Sequence, residues 1–398
     1  MTVRAFAQYA AIVSAAGIAA VIAAEFYLAS RAAAPPAIPF YNRLYPYVMF
    51  RPYENVSWVS DEPQAMSHHK SRVYVYTNTD GFRVPSAGYE LPKAKPAGQL
   101  RIAFLCASAV QLGSTFDVTL PGALRIRLRS MYLGADIEVI NAGVQSCVSR
   151  QSIAQLLFTV AGYQPDIVIL YDGVNDLGLP MTYESRPNFP YNFQAMEEAW
   201  DNYREGRRDS VWGLLAARSH VLRVIRERLG VTLHEALPAR QTARSPYIGR
   251  NAVTADKVLQ DPLFVRNHAA SYLENWRMLV ELSRVYRFRP VCILQPTGIL
   301  DAGYSLPVLM DFYNLDRGPA ERWISAFGRL YVETERQIGL LRKDYPDALF
   351  LDLHRAVAPA SGQFWDLAHV YDEVNSKLAE RISQDLRPLL DERTARPR

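Results

Sequence analysis

Five short apolar runs, each followed by helical periodicity, constrain this chain more than any other feature. The most telling is PDIVILYDG, Pro165 to Gly173. It is apolar at consecutive positions rather than alternate ones, as in a strand covered on both faces. RIAFL (101–105), IEVINAG (137–143), RPVCILQPTG (289–298) and ALFLDL (348–353) read as further strands. Between them, LPGALRIRLRSMYL and SRQSIAQLLFTVAGY place apolar residues at helical spacing, the first with Pro121 in its opening turn. A last helix begins near Val374. This alternation predicts an α/β fold, a five-stranded parallel sheet with helices on both sides. Sites in such sheets form beyond the carboxyl ends of the strands.

The remaining chain is arranged around that core. Residues 1–31 carry an uncharged run from Ala5 to Ala24, long enough for a helix to cross a bilayer. We read it as a transmembrane signal anchor, the alternative being a signal peptide cleaved near ASRAAAPPA. Either way the rest of the chain is expected outside the cytoplasm, tethered to the inner membrane in the first case and secreted in the second. Residues 32–98 form a Pro- and Tyr-rich linker and N-terminal extension, and 99–395 the main domain, with a helical insertion at about 180–262. Basic clusters at Arg204–Arg208 and Arg223–Arg228 read as solvated helix faces. Of 398 residues 49% are apolar, enough for a sizeable core, and a net charge of +4 gives no reason to expect nucleic acid as a partner. The three cysteines, Cys106, Cys147 and Cys292, lie in or beside apolar runs without metal-ligand spacing and read as small buried hydrophobes; a Cys106–Cys147 disulfide is open in an oxidising compartment.

The topology says where to search for chemistry. After the first strand stands CASAVQLGS with Ser108, after the second NAGVQS with Gly143, and after the third YDGVND with Asn175. Ahead of the last helix, WDLAHVYDEVN sets Asp366 three residues before His369. Singly these are caps and turns. Together they supply what acyl transfer to a serine needs: Ser108 to attack, His369 to take its proton, and Asp366 to fix the imidazole tautomer. The backbone N–H groups of Ser108 and Gly143 and the Asn175 amide can donate to an oxyanion, at roughly 3–4 kcal/mol each. Ser114 lies too far past the strand end to be the nucleophile. His68–His69 reads as a surface pair, Asp172 and Asp176 as turn-shaping acids, and His354 as structural.

These four ordered blocks resemble those of the SGNH/GDSL hydrolase superfamily, named for a Ser, a Gly, an Asn and a His. The resemblance spans about 101–390, and the upstream NTDGFR resembles the lead-in of membrane-anchored bacterial members. It implies a flavodoxin-like three-layer fold and an esterase needing no cofactor and no metal. The implied substrate is an ester-bearing small molecule, a lipid or an acylated glycan. Two other readings keep the fold: an O-acetyltransferase acting on envelope polysaccharide, and an inactive binding protein. The last rests on one departure. Cys106 and Ala107 stand before Ser108 where glycine or aspartate is usual, and their bulk could displace the loop.

Overall fold

The structure, a computed structural model, describes residues 42–45, 48–60, 72–182, 185–189, 252–358 and 362–394, with the single positions Gly17 and Tyr27. All but those two positions belong to one compact unit, Ile38–Asn192 with Ala243–Arg398; the other, Met1–Ala37 with Phe193–Thr242, is otherwise outside the description. The expected anchor, both basic clusters, His68–His69 and most of the expected insertion therefore lie outside the described residues. Among those described, no helix is long and apolar enough to cross a membrane.

The strands are β1 (Asn42–Tyr45), β2 (Met49–Pro52), β3 (Ser57–Ser60), β4 (Val73–Thr77), β5 (Arg83–Val84), β6 (Leu100–Cys106), β7 (Ile137–Asn141), β8 (Ile167–Asp172), β9 (Arg289–Leu294) and β10 (Leu349–Asp352). The helices are α1 (Ser108–Gln111), α2 (Leu120–Met131), α3 (Ser149–Phe158), α4 (Val174–Thr182), α5 (Ala255–Gln260), α6 (Pro262–Tyr286), α7 (Ala302–Phe312), α8 (Arg317–Asp344) and α9 (Asp372–Thr394). The main sheet runs β10-β9-β8-β6-β7-β5-β4-β3. Its first five strands are parallel to one another. The sheet is thus eight-stranded, not five-stranded as expected: β5, β4 and β3 extend it antiparallel beyond β7. Two of these three hold four residues or fewer, too short a run for periodicity to register.

Side-chain alternation along the parallel strands builds two cores. Ala103, Leu105, Val168, Leu170 and Leu294 face one side, with Tyr272 and Trp276 of α6 and Phe327 of α8. Ile102, Phe104, Ile169 and Ile293 face the other, with Leu120, Leu124 and Leu128 of α2 and Val374, Leu378 and Ile382 of α9. Both faces are therefore covered, and the uniform apolarity of these strands follows. β7 and β8 flank β6 on opposite sides, so the chain reverses direction of travel at β6. A crevice opens at the carboxyl ends of such a switch point.

The NTDGFR segment reaches the chain that follows α1. Asn78 Oδ1 accepts from the N–H groups of Asp80 and Phe82, closing a tight turn. Gly81 has φ +75, and a Cβ there would sit 2.6 Å from the Pro52 carbonyl oxygen. The turn delivers Arg83 into the interior, 2% exposed. Its guanidinium donates to the carbonyls of Gln111, Gly113 (2.6 Å) and Tyr74 (3.1 Å), bracing the chain that leaves α1. Burial lowers its pKa to about 10, opposed by Asp372, so it stays charged at neutral pH. Arg83→Met would leave three carbonyl acceptors without this donor. It should lower unfolding stability by at least ~3 kcal/mol, read from the urea midpoint; a change under ~1 kcal/mol would contradict this account of the brace.

Candidate active site

Four loops meet at the switch point, each leaving a strand end or entering a helix. Ser108 opens α1 two residues past β6. Its Oγ lies 2.6 Å from His369 Nε2 across a sequence separation of 261 residues. His369 Nδ1 lies 2.6 Å from Asp366 Oδ2. The other Asp366 oxygen accepts the backbone N–H groups of Ala368 (2.8 Å) and His369 (2.7 Å). Burial works to raise the Asp366 pKa, but His369 and these two N–H groups outweigh it and hold the carboxyl below its usual value. An ionised Asp366 only accepts, so His369 carries its proton on Nδ1 and offers a lone pair at Nε2 to the Ser108 hydroxyl. Trp365 stacks on the imidazole, ring centroids 4.7 Å apart and planes 14° apart, restricting its rotation.

Separate bonds hold these partners in register. Ser114, set aside as nucleophile, donates its N–H and Oγ–H to Asp372 in the first turn of α9, Oγ to Oδ2 at 2.5 Å. Asn375 Nδ2 donates to Val118 O at 3.0 Å. The segment after α1 is thereby pinned to the helix that follows His369. On the other side, Tyr304 Oη donates to Asp366 O (3.1 Å), and Thr297 Oγ1 to Leu367 O (2.9 Å). The residues ahead of Ser108 have not displaced it: Ala107 is buried, in an extended conformation, and the hydroxyl is within one hydrogen bond of His369.

Asn175 stands in the first turn of α4. The turn into this helix passes through Gly173 at φ +129, where a Cβ would lie 2.5 Å from Leu294 Cδ1. Asp176, expected to shape a turn, is helical like Asn175, because Gly173 makes the turn before them. Asn175 Nδ2 donates to Cys147 O at 2.9 Å, which leaves its second amide hydrogen for the cavity. Asp176 accepts from Ser149 N and Oγ. The loop after β7 is thus bolted to α4.

Gly143 does not line the cavity. Its N–H donates to Asn141 Oδ1 at 3.2 Å, and its lack of a side chain lets that loop pack on α1, where a Cβ would meet Val110 Cγ2 at 2.7 Å. Ser146, three residues on, does line the cavity with Ser108, Asn175 and His369. It holds φ +58, and its N–H has no hydrogen-bond acceptor among the described residues. A non-glycine residue at positive φ is sparse and clusters at functional sites. The only sequence signal for Ser146 was its place in the same loop; its backbone angle has no side-chain signature.

Two buried acids, Asp172 and Asp176, flank Asn175 in the chain. Asp172 Oδ1 accepts from Tyr272 Oη (2.5 Å) and Trp276 Nε1 (3.1 Å), and Oδ2 has no partner among the described residues. Burial, then the nearby Asp176, pushes the Asp172 pKa well up. Burial raises Asp176 to about 6 against the Ser149 hydrogen bonds. His268 Nε2 sits 2.9 Å from Asp176 O, and burial lowers its pKa to about 4, so it is neutral and donates there. His354, read as structural, pairs Nδ1 with Asp352 Oδ1 at 2.5 Å and accepts Arg355 Nε at Nε2, away from Ser108. Cys147 and Cys292 are buried free thiols, so Cys147 forms no disulfide with Cys106.

No protein-family model and no curated protein matches the sequence. Solved structures similar to it include a putative lipolytic protein of the G-D-S-L family from Desulfitobacterium hafniense, 11% identical, covering 72% of this chain and 99% of its own, TM-score 0.35. A lipase/acylhydrolase from Enterococcus faecalis is 12% identical, covering 72% and 95%, TM-score 0.33. Axe2, an acetylxylan esterase from Geobacillus stearothermophilus, is 15% identical, covering 72% and 94%, TM-score 0.33. At these values neither family nor activity transfers from those proteins to this chain.

The buried acids have a consequence for stability. Their folded pKa values lie above the unfolded value of about 3.9, so the folded state holds their protons more tightly. Their contribution is fullest below about pH 4 and is lost as pH rises through the folded values. Asp172→Asn keeps an oxygen for Tyr272 and Trp276 while removing the ionisable group. The gain of the variant over the parent in urea midpoint should be larger at pH 8 than at pH 5; an equal difference at both would contradict the upward shift of the Asp172 carboxyl.

Proposed function

We propose that this chain is a serine hydrolase of carboxylic esters, a member of the SGNH/GDSL superfamily. The observation that carries the reading is the unbroken line Ser108 Oγ–His369 Nε2, His369 Nδ1–Asp366 Oδ2, each link 2.6 Å. In this reading Ser108 Oγ attacks the ester carbonyl carbon while His369 Nε2 takes its proton. The oxyanion accepts from the N–H groups of Ser108 and Ser146 and from Asn175 Nδ2, with Ser146 in the place expected of Gly143. His369 returns the proton to the leaving alkoxide, the C–O bond breaks, and Ser108 holds the acyl group. Water, losing a proton to Nε2, then attacks the acyl carbonyl and frees the acid and the serine. Asp366 stays ionised throughout and balances the imidazolium.

The uncharged N-terminal run supports placing this site outside the cytoplasm, on the inner membrane, where ester-bearing lipids and acylated glycans are among the candidate substrates.

Ser108→Ala should lower the turnover of p-nitrophenyl esters by at least ~10³-fold, since attack on the carbonyl loses its nucleophile. Asn175→Ala should lower kcat by about 10²–10³-fold with KM little changed, as for loss of one oxyanion donor. Turnover by Ser108→Ala equal to that of the parent would refute the assignment.

A further inference from the structure

The cavity over Ser108 has an apolar extension that the hydrolysis steps do not use. The whole cavity, catalytic end included, has a volume of about 210 Å³. At one end stand Ser108, Ser146, Asn175 and His369; the remaining walls include Ile299, Val308 and Tyr313, with Trp323 and Phe327 of α8. The extension follows α4. Val174, Gly178 and Thr182 recur every four residues on the lining face, and Asn175 to Thr182 spans seven residues, a rise of about 10 Å. Along it the Thr182 hydroxyl is committed to Gly178 O at 3.0 Å. Gly178 sets the bore, because a Cβ there would lie 2.8 Å from Phe327 Cζ.

We infer that this extension holds the acyl chain of the substrate, and that the chain is of medium length, about six to eight carbons, rather than acetyl. The inference rests on the hydrolase reading and adds the substrate class. Direction follows from Asn175: the amide that receives the carbonyl oxygen starts the same helix face that the extension follows. Two groups leave that carbonyl carbon: the alkoxide must face His369 Nε2, which returns its proton, so the acyl chain takes the other path, toward Gly178 and Thr182. Size follows from volume. A cavity of about 150 Å³ takes benzene, six carbons, whereas drug-sized ligands need about 300 Å³ or more. At about 210 Å³, catalytic end included, this cavity lies between the two. An acetyl group would leave most of it unfilled.

The test measures kcat/KM of the full-length chain on two series. One varies the acyl group of p-nitrophenyl esters from acetate through butanoate, hexanoate and octanoate to dodecanoate; the other varies the alcohol of alkyl acetates. We expect the acyl series to rise about fourfold per methylene, reach its maximum at hexanoate or octanoate, and fall by dodecanoate. The alkyl acetate series should stay flat. Gly178→Ala, by driving Phe327 into the bore, should lower the octanoate-to-acetate ratio at least tenfold, and adding Phe327→Leu should restore it. Acetate turned over fastest, or a gain confined to the alkyl acetates, would overturn the acyl-chain assignment and leave the hydrolase standing. No turnover of any ester would instead strike the hydrolase reading itself, and this inference with it.

Discussion

A parallel strand covered by helices on both faces can present polar side chains only at its ends, and that constraint organises this molecule. Ile102 and Phe104 are claimed by one core, Ala103 and Leu105 by the other, and the next position free to face a cavity is Ser108. The same holds for β7 and β8, whose first unclaimed residues lead to Ser146 and Asn175. Because β7 and β8 flank β6, those three exits converge. The site is thus a product of burial elsewhere, and its polar groups are adjacent without being adjacent in sequence.

Convergence alone does not place atoms within a hydrogen bond, and a second set of contacts does that. Arg83 braces the chain leaving α1 through buried carbonyls. The Ser114–Asp372 pair ties that same stretch to the helix after His369. Asn175 to Cys147 and Asp176 to Ser149 tie the other two loops to each other. Such supporting shells keep reacting groups in near-attack geometry, where displacement of the order of 1 Å can cost about 10²-fold in rate. The Asp366 carboxylate illustrates the economy of the arrangement: one oxygen fixes its own loop, the other fixes the imidazole.

Much of this was legible in the sequence. The five parallel strands follow from apolar runs, Ser108 and Asn175 from polar residues after strands, and Asp366 with His369 from an acid three residues before a histidine ahead of the last helix. Other features were hidden for identifiable physical reasons. Arg83 reads as a surface charge, and only the interior carbonyls around it show why a guanidinium belongs there. Ser146 lines the cavity with its backbone at φ +58, which any side chain can conceal, whereas Gly143 drew attention for a freedom it uses in packing. Ala107 appeared as a threat to the loop; its methyl group is accommodated in the interior with Ser108 still in reach of His369. Strands β3 and β5 were too short for periodicity, and the helical state of Asn175 depended on the backbone of Gly173.

The central claim is that the Ser108 hydroxyl is activated by His369. Treatment with a fluorophosphonate probe, followed by mass spectrometry of the digested chain, tests it most directly. The account predicts a single phosphonylated peptide containing Ser108, formed at least ~10²-fold more slowly in His369→Ala, in keeping with the usual contribution of a positioned general base. Modification at another residue, or labelling of Ser108 at the same rate without the imidazole, would contradict it.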